Sequence, residues 1–90
     1  MHGVIVNSNV NIGRNTIINT LSLIEHDVSI GSNVPVATGS KINGGVKIGS
    51  GTFIGSGSIV FQEMQIGNNC LIPAGSIVNK NIVSNTRMSV

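Results

Sequence analysis

The sequence has few of the residues that charged or aromatic binding surfaces need. Only 9% of its 90 residues are charged and 2% are aromatic, with no Trp or Tyr, and its five basic residues are scattered. A nucleic-acid surface needs clustered bases and stacking rings, so no nucleic acid is expected as a partner. Every apolar run is short and broken by Gly, Asn or Ser, so no membrane-spanning segment is expected.

Cysteine is also scarce in this sequence. Cys70 is the only cysteine, which excludes an intrachain disulfide framework and a multi-cysteine metal site. The first residues lack a basic stretch followed by an apolar segment, so no signal peptide is predicted. The expectation is a reducing, cytoplasmic location.

The chain is rich in β-branched aliphatic residues and in turn formers. It has 14 Ile and 11 Val against 3 Leu and 2 Ala, together with 12 Gly and 12 Asn. Because helix formers are scarce, the composition predicts an all-β fold with many turns.

An apolar residue recurs at every sixth position. All thirteen positions in this phase, from 6 to 78, are Val or Ile, which has a chance probability of roughly 10⁻⁷ at this composition. We number each hexad from this residue. Fifth places are mostly small or β-branched, as a second inward position requires, and ten of thirteen fourth places are Gly or Asn, which tolerate a positive φ. The repeat predicts a solenoid of short strands and tight corners, with its register running from 6 to 83.

This pattern resembles the left-handed parallel β-helix of the hexapeptide-repeat acyltransferases, in which three hexads form one triangular coil. The resemblance implies an all-β domain over residues 1–90 with about four coils. We expect it to be shortened at both ends and to lack the family's N-terminal nucleotide-binding domain. His2 precedes the phased region and is interpreted as part of an incomplete coil or a disordered end.

The outward sixth places form three columns, because residues one coil apart lie on the same face. Two columns are mostly apolar and one is mostly polar. The columns are Ile17, Pro35, Phe53 and Leu71; Leu23, Lys41, Ile59 and Ile77; and Asn11, Ser29, Lys47, Gln65 and Val83. Two apolar faces on a small protein favour a homotrimer that covers both. The alternative is scattered exposed apolar residues without a partner.

Two of the three acidic residues flank one histidine. Glu25 and Asp27 stand beside His26, which is predicted at an outward corner, and Gly44, one coil above, leaves space over the imidazole. A carboxylate beside a histidine can fix its tautomer and stabilise the imidazolium, as a general base requires. A solvated polar turn without chemistry is the alternative.

The stretch from Ile18 to Gly31 resembles the I-N-T-x-x-x-I-E-H-D/E-x-x-I-G signature of bacterial sugar acetyltransferases. These include sialic acid O-acetyltransferases and nucleotide-amino-sugar N-acetyltransferases. The resemblance implies that His26 is the general base and that Asp27 raises its basicity. Segments 46–58 and 72–78 resemble the coils that follow in the family.

The resemblance also implies how acetyl-CoA, the co-substrate, is bound, with no metal involved. It would lie in the groove between neighbouring prisms of a trimer, against Ser56 and Ala74. Pro35 stands where family members usually carry a second histidine that contacts acetyl-CoA. Backbone N–H groups at a glycine corner such as Gly55 are candidates for stabilising an oxyanion.

The sequence therefore predicts acetyl transfer from acetyl-CoA to an amine or hydroxyl of a small-molecule sugar. A trimeric prism with only a structural role is the main alternative, because Pro35 offers no hydrogen-bond donor. A zinc carbonic anhydrase on the same prism would need three histidine ligands, and the chain has two. Cys70, at an inward fifth place, is expected to be a buried small hydrophobe and not a nucleophile.

Overall fold

The protein, seen in a computed structural model that describes residues 3–89, is a parallel β-solenoid with three faces. Within these residues there is no helix, and thirteen two-residue strands are joined by tight corners. His2 lies outside the described residues. The strands are β1 (Ile5–Val6), β2 (Asn11–Ile12), β3 (Ile17–Ile18), β4 (Leu23–Ile24), β5 (Ser29–Ile30), β6 (Pro35–Val36), β7 (Lys41–Ile42), β8 (Lys47–Ile48), β9 (Phe53–Ile54), β10 (Ile59–Val60), β11 (Gln65–Ile66), β12 (Leu71–Ile72) and β13 (Ile77–Val78).

The strands stack into three parallel sheets, which form the faces of a triangular prism. Face A has the order β1-β4-β7-β10-β13, face B has β11-β8-β5-β2, and face C has β12-β9-β6-β3. Lys41 pairs with Leu23 on one side and with Ile59 on the other, so each strand's partners are the strands one coil before and after it. Three hexads therefore make one coil, and the predicted all-β coiled architecture is confirmed.

The core is a column of Val and Ile side chains inside the prism. Eleven of the thirteen repeated Val and Ile residues are buried, from Ile18 to Val78. Val6 and Ile12 are 44% and 38% exposed, because the first described coil is covered on one side only. Fifth places fill the remaining interior: the Thr52 hydroxyl donates to the Gly67 carbonyl, and Cys70 is buried as expected.

The corners have a left-handed residue at the fourth place of the hexad. Twelve of the thirteen fourth places have φ between 55° and 75°, including the predicted Gly45, Gly51, Gly57 and Gly75. Glycine adopts a positive φ without strain because it has no Cβ atom, and Asn tolerates this conformation. The Gly and Asn residues of the sequence pattern therefore match the backbone.

The predicted register is wrong beyond Val78. Partner strands are 18 residues apart in the earlier coils, but Gln65 contacts Asn81 across only 16 residues, and Ile66 pairs with Ile82. The last coil is therefore two residues short, and Ile82 takes the inward place. Val83 does not extend the polar column above Gln65 and is 78% exposed.

The corner conformation moves with this shift in register. Asn81, a fourth place in the predicted phase, does not have a positive φ, whereas Asn85 has a φ of 64°. Asn85 lies three residues after the inward Ile82, as a fourth place does in the earlier hexads. The hexad therefore continues after the shortened step in a new phase.

Candidate active site

The corner that follows face A contains all three acidic residues of the chain. We call it the His26 corner, and it consists of the stacked segments 7–9, 25–27, 43–45 and 61–63 from four consecutive coils. The strict stacking of residues one coil apart brings these segments together. The third place of each hexad points outward, which leaves His26 exposed.

His26 and Asp27 form the hydrogen-bonded pair that the sequence suggests. The His26 Nδ1 nitrogen lies 2.9 Å from the Asp27 Oδ2 oxygen. Because an ionised carboxylate only accepts hydrogen bonds, Nδ1 carries the proton in the neutral ring and Nε2 has the lone pair. The side chains are 64% and 55% exposed, so a substrate in solution can reach the pair.

Asp27 is also held from the coil below. The Asn9 side-chain amide donates to the Asp27 Oδ1 oxygen, while the other oxygen faces His26. These two hydrogen bonds, that of Asn9 first, lower the pKa of Asp27 below its usual value of 3.8. In the same way, the Asn7 amide donates to the Glu25 Oε1 oxygen at 3.0 Å. The carboxylate beside His26 is therefore kept ionised and fixed in orientation.

A gap lies over the imidazole because the next coil has two glycines in place of side chains. A Cβ atom at Gly44 would lie 3.1 Å from His26 Cε1 and 3.3 Å from Nε2. A Cβ atom at Gly45 would lie 3.1 Å from Glu63 Cγ, which belongs to the following coil. The result is a cleft of about 370 Å³, with Glu25, His26 and Asp27 on one side and Gln62 and Glu63 on the other. The Nε2 lone pair lies next to this cleft, so a molecule bound in the cleft can donate a hydrogen bond to it.

The residues expected to contact acetyl-CoA lie elsewhere on the prism. Ser56 and Ala74 stack at the corner that follows face C, where Gly75 N–H donates to the Ser56 carbonyl, and both are exposed. Pro35 lies in β6 on face C and is half-buried. Within one protomer, the width of face A separates Ser56 and Ala74 from His26, so a single chain does not bring the expected site residues together.

The oxyanion role suggested for Gly55 does not fit the structure. The Gly55 N–H donates to the Ile72 carbonyl at 2.7 Å, and the residue is buried. This amide belongs to the hydrogen-bond ladder between coils, as do the amides of the other second places. The Gly44 N–H, in contrast, donates no hydrogen bond within residues 3–89 and lies on the coil next to His26.

Sequence reasoning missed the polar residues that surround the His26–Asp27 pair from other coils. Asn7 and Asn9 lie one coil below, and Gln62 and Glu63 lie two coils above. Counting in steps of 18 residues from Glu25, His26 and Asp27 finds all four positions. The periodicity needed to identify them was therefore already in the sequence.

Among residues 3–89, no three His, Cys, Asp or Glu side chains lie together as metal ligands would. No helix in that range is long and apolar enough to cross a membrane.

Solved structures with the same prism are similar to this chain over nearly its whole length. Perosamine N-acetyltransferase from Caulobacter crescentus, solved as a histidine-to-asparagine mutant with CoA and GDP-perosamine, is 30% identical, with a TM-score of 0.93 over 99% of this chain and 43% of that chain. WeeI from Acinetobacter baumannii is 28% identical, with a TM-score of 0.91 over 98% of this chain and 44% of its own. A hexapeptide transferase family protein from Anaplasma phagocytophilum shares the fold, at 20% identity and a TM-score of 0.84 over 91% of this chain and 51% of its own.

No family model and no curated protein matches the sequence. The chain spans less than half the length of the perosamine N-acetyltransferase and of WeeI. The superposition over nearly all of this chain confirms the predicted fold, a left-handed β-helix of hexapeptide repeats.

Proposed function

Since this chain is a hexapeptide-repeat β-helix of the acyltransferase type, we propose that it is the catalytic prism of an acetyl-CoA-dependent sugar acetyltransferase in sugar biosynthesis. The observation that carries the proposal is the His26–Asp27 pair, whose Nε2 atom borders the cleft left by Gly44 and Gly45. Support comes from the C. crescentus and A. baumannii structures, the first of which was solved with CoA and a sugar nucleotide. A cytoplasmic location, expected from the sequence, is part of the proposal.

In this reaction His26 is the general base. Its Nε2 atom accepts a proton from the acceptor's amine or hydroxyl as that atom bonds to the thioester carbonyl carbon. The carbon–sulfur bond then breaks, and the imidazolium returns the proton to the departing thiolate. Asp27 holds the ring through Nδ1 and stabilises the positive charge that develops on it. The Gly44 N–H, which donates no hydrogen bond within residues 3–89, would be a donor to the oxyanion in place of Gly55.

The acetyl-CoA side of the site requires a second copy of the chain, so the proposal includes a homotrimer. Ser56, Ala74 and Pro35 belong to face C and the corner that follows it, whereas His26 lies at the other edge of face A. A neighbouring prism would bring its own face C opposite this protomer's His26 corner. The groove between the prisms then has the general base on one wall and the acetyl-CoA contacts on the other.

Substitution of the base tests the proposal directly. His26→Ala is expected to lower kcat by about 10² to 10⁴ and to leave acetyl-CoA affinity nearly unchanged, because the base acts on the acceptor. Asp27→Asn is expected to cost less, because Asp27 acts through His26. Lys41→Ala, at an exposed position on face A, is the matched control and should keep wild-type activity.

The main alternative, a structural prism, predicts a different set of results. It is favoured if the purified wild-type chain neither binds acetyl-CoA in calorimetry nor acetylates amino sugars or sugar hydroxyls. Equal activity of His26→Ala and wild type would also contradict the assignment of the base.

A further inference from the structure

We infer that Glu63 is the acceptor-binding residue of this site and that it selects sugars carrying an amino group. The inference rests on the proposed function and names its substrate class. Glu63 stands across the cleft from His26, where its carboxylate can hold the ammonium group of an amino sugar beside the base. The ammonium first releases one proton to solvent, which gives the nitrogen its lone pair. As this nitrogen bonds to the thioester carbonyl carbon, His26 removes the second proton, which then passes to the departing thiolate.

Backbone hydrogen bonds fix the position of Glu63 relative to the base. Gly45 N–H donates to the His26 carbonyl at 3.1 Å, and Glu63 N–H donates to the Gly44 carbonyl at 2.8 Å. These two bonds set the Asp27 and Glu63 coils two strand spacings apart, about 10 Å. Because Gly45 has no side chain, the Glu63 Cγ atom lies directly over it and at the cleft.

Glu63 has a backbone conformation that its side chain does not favour. Its φ is 62°, at a place in the hexad that is mostly Gly or Asn. Only three residues of other types occupy left-handed fourth places, namely Leu21, Asp27 and Glu63, and two of these border the cleft. Strained residues of this kind concentrate at functional sites, where a side chain is needed despite its conformational cost.

The carboxylate of Glu63 also has no partner in the described protein. Glu25 and Asp27 accept hydrogen bonds from Asn7 and Asn9, whereas Glu63 makes no side-chain hydrogen bond or ion pair within residues 3–89. The three acidic residues of the chain all lie at this corner, whereas Lys80, one coil above Gln62, is the only lysine or arginine there, so the corner keeps a net negative charge. A cationic acceptor is therefore attracted to the cleft, whereas a neutral sugar is not.

The test compares D-glucosamine with D-glucose as probes, using the full chain and the NMR signals of the His26 ring. At a pH where the amine is protonated, glucosamine is expected to shift these signals saturably, and glucose is expected to bind at least about tenfold more weakly. Glu63→Asn should remove the preference for glucosamine. Equal binding of the two sugars by the wild type, or an unchanged preference in Glu63→Asn, would overturn the inference.

Leu21→Asn is the matched control for the effect on folding. Leu21 also has a φ of 62° but lies at the corner that follows face C. Since Asn tolerates this conformation, both variants should raise the melting temperature by a few degrees. Only Glu63→Asn should lose glucosamine binding.

Acetyl-CoA binding and acetyl transfer, measured on the same samples, separate the two proposals. Acetyl transfer without selectivity for the amine would contradict the role of Glu63 and leave the acetyltransferase assignment standing. The absence of both acetyl-CoA binding and transfer would contradict the acetyltransferase assignment, whatever the sugar titration shows.

Discussion

Asp27 owes its ionised state to partners in two directions, and only one of them is its neighbour in sequence. His26 lies beside it, and Asn9 reaches it from the coil below. Both hydrogen bonds favour the carboxylate over the neutral acid. The ionised state of the carboxylate beside His26 therefore depends on a residue 18 positions away.

Removal of the Asn9 side chain is expected to raise the pKa of Asp27. In the folded protein this pKa is below 3.8, so the stability that Asp27 contributes is present above that value and is lost as pH falls through the folded pKa. Asn9→Gly removes the amide and keeps the left-handed backbone of Asn9. An NMR titration of the Asp27 carboxyl carbon should give a higher midpoint in this variant. Identical midpoints in the two proteins would show that Asn9 does not stabilise the carboxylate.

Pro35 provides a test of the acetyl-CoA side of the site. It lies on face C, half-buried, and its ring nitrogen has no hydrogen to donate. Pro35→His is expected to tighten acetyl-CoA binding, because the histidine supplies a donor toward the neighbouring prism. Calorimetry on wild type and variant measures this change, with Lys41→His on the uncovered face A as the control. Unchanged affinity would show that this part of face C does not contact acetyl-CoA.

The base and its adjacent carboxylate could be predicted from the sequence because they are neighbours in the chain. Local order is enough to place His26 beside Asp27, and the hexad phase is enough to place both at a corner. Predicting the opposite wall of the cleft requires two steps of 18 residues along the stacked coils, from Asp27 to Gly45 and from Gly45 to Glu63. Predicting that the Gly44 amide is free requires knowing which amides form hydrogen bonds between coils, and the sequence does not show this.

Glycine serves two different purposes at the corners. Gly57 has a φ of 69°, and a Cβ atom there would meet nothing within 4 Å, so its requirement is purely conformational. Gly49 has no such φ, but its Cβ atom would lie 2.6 Å from the Gly67 carbonyl carbon in the next coil. The same second place is glycine at 13, 31, 49 and 67. The hexad pattern predicts the first kind of glycine but not the second, which depends on the distance between coils.

Gly57→Ala is expected to destabilise the protein by about 1 to 2 kcal/mol, because alanine must adopt a left-handed backbone there. Gly57→Asn should cost less, since Asn tolerates this conformation and already occupies several equivalent corners. Urea unfolding of the three proteins gives the comparison. Equal stability of the Ala variant and wild type would mean that this corner readily adopts another backbone conformation.

In the shortened last coil, the six-residue period no longer predicts which residues point inward. Val and Ile fill every first place of the hexad through Val78, and the next position in phase is Ser84. That polar residue marks the end of the original register, but it does not reveal that the hexad continues two residues earlier, through Ile82. Choosing between a terminated and a shifted repeat requires the pairing of Ile66 with Ile82.

At the scale of the whole molecule, the sequence predicts a trimer that covers the two apolar faces. It also predicts an acetyl-CoA groove between the His26 of one prism and the Ser56 and Ala74 of its neighbour, and these two predictions exclude each other. Faces A and C, the apolar ones, meet at the corner that carries Ser56 and Ala74. In a closed three-fold trimer, the corner shared by the two covered faces lies on the symmetry axis. Covering A and C would place Ser56 and Ala74 there, away from the neighbour's His26. The proposed groove instead requires faces B and C to be covered.

Charge substitutions on single faces distinguish the two trimers. Phe53→Asp on face C is expected to dissociate the trimer in either arrangement. Ile77→Asp on face A, at a residue that is 54% exposed, should leave the proposed trimer intact. Sedimentation velocity measures both outcomes. Dissociation by Ile77→Asp would contradict the groove between His26 and Ser56, and a monomeric wild type would contradict any trimer.

The stacking of coils also determines how this chain can begin to fold. No strand can form its first pair until the chain has returned to the same face, because its partners lie one coil away. Within a coil only a few turn hydrogen bonds form, such as that from the Ser22 N–H to the Asn19 carbonyl, so they offset little of the entropic cost of that first loop closure. A nucleus of two adjacent coils, about 36 residues, is therefore the rate-limiting assembly, after which each further coil adds to an existing template.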